Sequence, residues 1–310
     1  MTERRLPTEA EVHSWIRDRS NWGRWGPDDQ RGTINLITPA KRVEAARLCR
    51  TGRCVSLSRP FPKEPGINNA FPAQHFMKTL ARGRGGAALD YYGIFYHGVA
   101  STHIDALCHT WDERAMWNGR DPKHEITFDG ATFGSVEHWR EGIMTRGVLL
   151  DVPRHRGVPS VTQDRPVHGW ELEEILEARH ITLTPGDAVA VYSGREAWQA
   201  ANPDTPYGRP FGPGPVPRPG LHVSCLPFLR DHDVSLLVWD MLDLAPIGYD
   251  IAWGVHSAIF AYGLPLLDSA LLEPLAKACA EEGRDDFMLM VAPLPVVGGT
   301  GSPANPIAVF

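Results

Sequence analysis

One nine-residue segment, Ser101-Thr102-His103-Ile104-Asp105-Ala106-Leu107-Cys108-His109, limits what this chain can fold into more than any other. Its two imidazoles and one carboxylate fall at His103, Asp105 and His109, in steps of two and then four residues. Counted from His103 these are steps of two and six, and on a helix of 3.6 residues per turn both land on faces widely separated from that of His103. On an extended strand side chains alternate, so His97, Val99, Ser101, His103, Asp105, Leu107 and His109 share one parity. An extended conformation is therefore expected at least through Asp105, with a bend that brings His109 alongside. A mixed nitrogen and oxygen donor set suits Zn2+ or Mn2+ and suits Ca2+ or copper(I) poorly. By spacing alone, a surface His–Asp pair or a hydrogen bond in the core satisfies the same pattern.

The flanking sequence supplies strands to carry such a segment. Gly147 to Val152, Ala188 to Tyr192, Val234 to Trp239 and Phe287 to Val291 are short, nearly continuous apolar runs, as strands buried on both faces require. Helical patterns alternate with them at Trp170 to Ala178, Leu221 to Leu229 and Leu264 to Glu281. Another helix opens at Thr38-Pro39 and stops at Gly52, with a short strand following at Val55 to Leu57. This alternation predicts an α/β or α+β layered fold. The stretch from Phe61 to Gly86, rich in Pro, Asn, Gly and Arg, reads as a long surface loop offering Phe71, His75, Phe76 and Met77 to a pocket wall. The Pro- and Gly-rich stretch from Ala201 to Gly220 reads as a semi-rigid loop over one end of the sheet.

The 310 residues fit one large domain or two small ones, with no internal repeat, and we read residues 1–310 as a single domain. A formal net charge of −6 offers no basic stripe for phosphate backbones, so a small molecule is the expected partner rather than nucleic acid. Five scattered cysteines without a C-x-x-C pair argue against a disulfide framework or a thiolate metal cluster, and fit a reducing cytoplasm. Neither a leader-like apolar region nor a membrane-length apolar run is present.

The motif and its company resemble the metal-dependent cyclase family, which includes bacterial kynurenine formamidases and isatin hydrolases. Ser101 to His109 is similar to the family's G-T-H-x-D-x-x-x-H signature, with serine where glycine is usual. The resemblance extends to Trp22-Gly23-Arg24-Trp25-Gly26-Pro27-Asp28-Asp29-Gln30-Arg31-Gly32-Thr33-Ile34-Asn35, to Pro219-Gly220-Leu221-His222, to Trp239-Asp240 and to the tail Gly299-Thr300-Gly301-Ser302-Pro303-Ala304-Asn305-Pro306. It implies the swivelling β/β/α fold with a mixed sheet core and flanking helices, metal ligation by His103 and Asp105, and proton transfer by His109. It further implies a histidine followed twelve residues later by a metal-ligating glutamate or glutamine; here that spacing joins His256 to Asp268, one methylene shorter. Two-metal relatives carry a histidine four residues before His103, where this chain has Val99, so one divalent ion, Mn2+ or Zn2+, is expected. His97 is the nearest residue able to substitute for that histidine.

These residues imply a hydrolase that opens a cyclic amide or lactone, or cleaves an N-formyl amide. His109 would act as general acid and base, with His256 orienting substrate or water. Trp25, Phe71, Phe76 and His97 are the candidate substrate contacts, suiting an aromatic or heteroaromatic molecule. The resemblance also implies a homodimer or homotetramer, with residues 1–60 as an arm toward the pocket or a subunit contact. Two other classes compete: a nucleophilic hydrolase using Cys108 or a serine, for which no G-x-S-x-G elbow is found, and a lyase, cyclase or ligand-binding protein on the same scaffold.

Overall fold

The computed structural model describes residues 4–208 and 216–310. Its strands are β1 (Cys54–Ser56), β2 (Gln74–Arg82), β3 (Gly85–Gly93), β4 (His103–Asp105), β5 (Ile126–Thr127), β6 (Gly130–Ala131), β7 (Ile143–Asp151), β8 (Ala188–Tyr192), β9 (Leu236–Trp239), β10 (Leu266–Asp268), β11 (Asp286–Val291), β12 (Gly301–Pro303) and β13 (Ile307–Val309). The helices are α1 (Glu9–Arg17), α2 (Pro39–Ala46), α3 (Pro122–Glu125), α4 (Val152–Arg156), α5 (Gly169–Arg179), α6 (Arg195–Ala201), α7 (Cys225–Asp231), α8 (Ser257–Tyr262) and α9 (Glu273–Glu282).

One nine-stranded sheet runs in the order β1-β13-β11-β7-β8-β9-β10-β4-β12. Its middle, β7 to β10, is parallel, and antiparallel strands extend it on both sides. β8 shows why these strands read as unbroken apolar runs. Val189 and Val191 enter the core on one face, and Ala188, Ala190 and Tyr192 enter it on the other. Helices α5 and α7 close the first face with Leu172, Ile175, Leu226 and Leu229. Helix α9 closes the second with Leu275, Ala278 and Cys279. The fold is thus a large mixed sheet with flanking helices, as the sequence predicts. Among the described residues no helix is long and apolar enough to cross a membrane.

Several boundaries differ from the sequence expectations. The expected loop over 61–86 contains β2, which pairs with β3 as a ribbon turning at Gly83-Arg84. Nearly all residues of both strands are exposed, so no alternation of apolar and polar side chains marked them. The expected helix from Leu264 to Glu281 is two elements. Leu266 to Asp268 forms β10 between β9 and β4, and the helix starts only at Glu273. A short, wholly apolar run does not distinguish buried strand from buried helix. The expected helix from Leu221 starts at Cys225, because Leu221 forms bridges with Val167 and Asp243. Helix α2 ends at Ala46 rather than continuing to Gly52. Part of the Pro- and Gly-rich stretch, 209–215, lies outside the described residues. Within 4–60, Val12, Ile16, Ile34, Ile37, Val55 and Leu57 are built into the core.

Candidate metal centre

The three residues of β4 are fully buried, and β4 lies between β10 and β12, antiparallel to both. His103 and Asp105 share a face while Ile104 turns into the core on the other. Register places Asp268 directly opposite His103. The shorter side chain is therefore carried to the site by the adjoining strand, and donor atoms of His103, Asp105 and Asp268 lie within 4.8 Å of one another. On the other flank Gly301 pairs with Asp105. A Cβ there would stand 2.3 Å from the Ile104 carbonyl oxygen and 3.2 Å from the His97 ring, so glycine permits this close approach.

After Asp105 the chain turns, with the His109 N–H donating to the Ala106 carbonyl at 3.0 Å. This bend returns the His109 ring to the Asp105 carboxylate, with Nε2 3.8 Å from Oδ2. His97 lies beside it: its ring stacks on His109 with centroids 3.9 Å apart, and its Nδ1 lies 2.9 Å from Asp105 Oδ1. His97, Asp105 and His109 thus form a second group of three donors within 4.8 Å. The Thr300 hydroxyl lies 2.9 Å from His97 Nε2 and holds the ring's far side.

His256, immediately before α8, completes the ring of imidazoles. Its Nδ1 bonds the Asp243 carboxylate, while its Nε2 lies 3.2 Å from Asp268 Oδ2 and 3.7 Å from Asp105 Oδ2. The Trp239 indole N–H donates to Asp268 Oδ1 at 2.5 Å. Asp243, Trp239 and Thr300 were not legible as site residues, because each belongs to a different strand end or loop and shares no local spacing with the motif.

Both oxygens of Asp105 are buried and neither accepts a hydrogen bond, although His97, His103, His109 and His256 surround them. A buried carboxylate left without hydrogen bonds is costly, and a cation relieves it. The donor set therefore fits a divalent ion. Burial works to raise the Asp105 carboxyl, yet His109 and His103 hold it well below the usual carboxylate range. Burial lowers His109 to about 4 against the opposing pull of Asp105. Burial also works to lower His103 and His256; Asp105 nevertheless raises the former, and Asp243 with Asp268 raises the latter. Cys108 is buried and its thiol is pushed up to about 12, so it is not a thiolate nucleophile at neutral pH.

The structure therefore brings His97, His103, Asp105, His109, His256 and Asp268 together. It places the three aromatic candidates elsewhere. Trp25 packs against Trp117 at the edge of the core. Phe71 sits edge-on to Phe95, and Phe76 stacks on Tyr91 along the exposed β2–β3 ribbon. Three other aromatic residues line the centre: Tyr96, 4.5 Å from His97 and 5.8 Å from His103, Trp239, 5.2 Å from His256, and Trp253, whose ring lies 5.7 Å from His256 and 6.5 Å from His109. Trp253 also lines a cavity of about 520 Å³ together with Arg218, Asp243 and Tyr249. No apolar period marked Trp253, which lies in a loop.

Comparison with known proteins agrees with this architecture. A family model described as a putative cyclase matches residues 22–246. A solved structure described as a novel cyclase is 28% identical, with a TM-score of 0.81, covering 99% of this chain and 100% of that one. Isatin hydrolase A from Ralstonia solanacearum is 17% identical with a TM-score of 0.60, covering 88% of this chain and 98% of its own. Isatin hydrolase A from Labrenzia aggregata, bound to benzyl benzoate, is also 17% identical, with a TM-score of 0.55 and coverage of 83% and 93%. No curated protein matches the chain.

Proposed function

The chain belongs to the cyclase family, and from that premise we propose that it is a divalent-metal-dependent hydrolase of cyclic amides, lactones or N-formyl amides. The observation that carries the reading is the buried Asp105 carboxylate, unbonded at both oxygens among imidazoles and a second carboxylate. His103, Asp105 and Asp268 would hold one ion, Mn2+ or Zn2+. When bound, such an ion polarises a carbonyl oxygen and acidifies water.

The remaining steps belong to the protein. His109, uncharged at neutral pH and partly open to solvent, takes a proton from the attacking water and returns it to the leaving nitrogen or oxygen. Asp243 fixes the His256 ring so that Nε2 faces the centre, where it orients substrate or water. Trp253 and its cavity support a small aromatic or heteroaromatic substrate. In this reading residues 1–310 are one domain, the protein works in the cytoplasm, where its five free cysteines would stay reduced, and it assembles as a homodimer or homotetramer.

A second reading has its own support. His97, Asp105 and His109 also converge, with donor atoms within 4.8 Å of one another, and share the first triad's carboxylate. In that case His97 takes the place left by Val99, and His109 is a ligand rather than a proton carrier. Metal analysis of the purified chain, followed by chelation and a panel of isatin-like lactams, lactones and N-formyl aromatics, tests both readings. One equivalent of Mn or Zn, with hydrolysis lost on chelation, is the expected result. Hydrolysis that survives complete metal removal overturns the metal reading, and two tightly held equivalents favour the shared carboxylate.

A further inference from the structure

We infer that Ser269 is a positioning residue that sets the spacing between His103 and Asp268 and so tunes the affinity of the centre for its ion. The inference rests on reading His103, Asp105 and Asp268 as ligands. Ser269 follows Asp268 directly and is wholly buried in the left-handed backbone region, at φ 53°. The other non-glycine residues with positive φ among the described residues are Asn118, His180 and Asp233, all types that tolerate that region. Serine has less reason to be there, and such strain persists only where the surroundings impose it.

The surroundings are visible. Because Ser269 leaves the extended region, the β10–β4 ladder stops at the Asp268–His103 pair. A side chain replaces the next rung: the Thr102 hydroxyl donates to the Ser269 carbonyl at 2.9 Å and accepts from the Arg59 N–H at 3.0 Å. Arg59 Nε donates to the same carbonyl at 2.9 Å. The Ser269 hydroxyl accepts from Arg195 Nη1 at 3.2 Å and donates to the Gly98 carbonyl at 3.4 Å. Arg195 is itself anchored, with Nη2 donating to the Val99 carbonyl at 2.6 Å and its backbone N–H to Asp240. The residues flanking both ligands, Thr102 and Ser269, are therefore clamped to each other. The segment leading from His97 is tied to the same hydroxyl. A slip of one residue between β4 and β10 would turn a ligand to the opposite face, and the clamp opposes that slip.

Ser269→Gly keeps the left-handed backbone available but removes the hydroxyl; Thr102→Val removes the replacement rung with little change of shape. Full-length, chelator-stripped parent and variants are titrated calorimetrically with Mn2+ alone, then Zn2+ alone, and their thermal midpoints are measured in the stripped state. The expected result is affinity about ten- to a hundredfold weaker in both variants, while the stripped Ser269→Gly protein keeps a midpoint close to the parent's, relief of the left-handed strain offsetting the hydrogen bonds lost to Arg195 and Gly98. Loss of affinity without loss of stability is a split that general structural damage does not produce. If the parent binds and both variants bind as tightly, the inference is overturned while the metal reading stands. If Ser269→Gly loses affinity only in step with its thermal midpoint, the inference is likewise overturned. If the parent binds neither ion, both fail.

Discussion

Among the described residues two clusters of buried and partly buried histidines stand out, and they are built differently. Around Asp105, four imidazoles face carboxylates: Asp105 itself, Asp243 and Asp268. Beside α5 and α7, His168 and His222 lie 4.6 Å apart between the rings of Trp170 and Tyr249, with polar partners that are neutral. His168 Nδ1 pairs with the Ser224 hydroxyl at 3.0 Å, and the Ser224 N–H donates to His222 Nδ1 at 3.1 Å. The first cluster leaves buried acceptors unbonded, whereas the second has its Nδ1 atoms satisfied within the protein. Burial of histidine is common to both and says nothing by itself. An unanswered carboxylate among the histidines is what points to a ligand.

The largest effect that would break this comparison is on metal content. His103→Ala or Asp105→Ala is expected to abolish tight binding of a divalent ion, measured by elemental analysis after dialysis, whereas His222→Ala should leave metal content unchanged. Equal metal loss in the His222 variant would show that the clusters are not functionally distinct. Next in size, His109→Ala is expected to keep the ion and lose about 10²- to 10⁴-fold in turnover, the usual contribution of a general acid–base group. Metal loss in that variant would instead make His109 a ligand, as the second reading of the site requires.

The two clusters were unequally legible in the sequence. His103, Asp105 and His109 lie within seven residues, so strand alternation alone brought the first two onto one face. Asp268 was reachable only through family resemblance, because the cross-strand register that sets it opposite His103 is a property of the sheet and not of local spacing. Asp243, Trp253 and Ser269 carried no signal, since each acts through a contact made after the chain has folded. The strands β7, β8 and β9 were readable because burial on both faces demands unbroken apolar runs; β11 was readable as such a run although Met288 and Met290 lie on its more open face. β2 and β3 were not, being exposed on both faces. Phe71 and Phe76 were proposed as pocket residues only by their place in the chain; both are exposed, Phe76 on the β2–β3 ribbon and Phe71 just before it.

The second cluster gives a smaller effect with a defined sign. Burial lowers His168 and His222 to about 4 from an ordinary value of 6.5, with Arg156 adding to the shift at the former and His168 at the latter. The unfolded chain then takes up protons at a higher pH than the folded one. Their contribution to stability is complete above pH 6.5 and is lost as pH falls from 6.5 toward 4. For the nearly inaccessible His222 the loss is about 1 kcal/mol per pH unit within that window. Urea unfolding of the chelator-stripped protein at pH 7, 6 and 5 should therefore show falling stability. His222→Gln, compared with the parent at each pH so that the groups they share cancel, should fall less steeply. Parallel slopes would mean that His222 is not buried as an uncharged ring.

The smallest effect isolates the neutral partner that distinguishes this cluster. Ser224→Ala removes the hydroxyl from His168 Nδ1 and from the Gly169 N–H, which donates to it at 3.4 Å, but leaves the backbone bond to His222 intact. A partly buried imidazole nitrogen without a partner costs about 1 kcal/mol. The thermal midpoint should therefore drop by about one to two degrees while metal content and turnover stay at the parent's values. The same kind of deletion beside Asp268, Ser269→Gly, is expected to do the reverse, sparing stability and weakening the ion. If both substitutions instead moved stability and metal affinity together, the two clusters would be coupled, with the segment that carries Asp243 against His256 and Tyr249 against His222 as the link, and the contrast drawn from their carboxylates would fail.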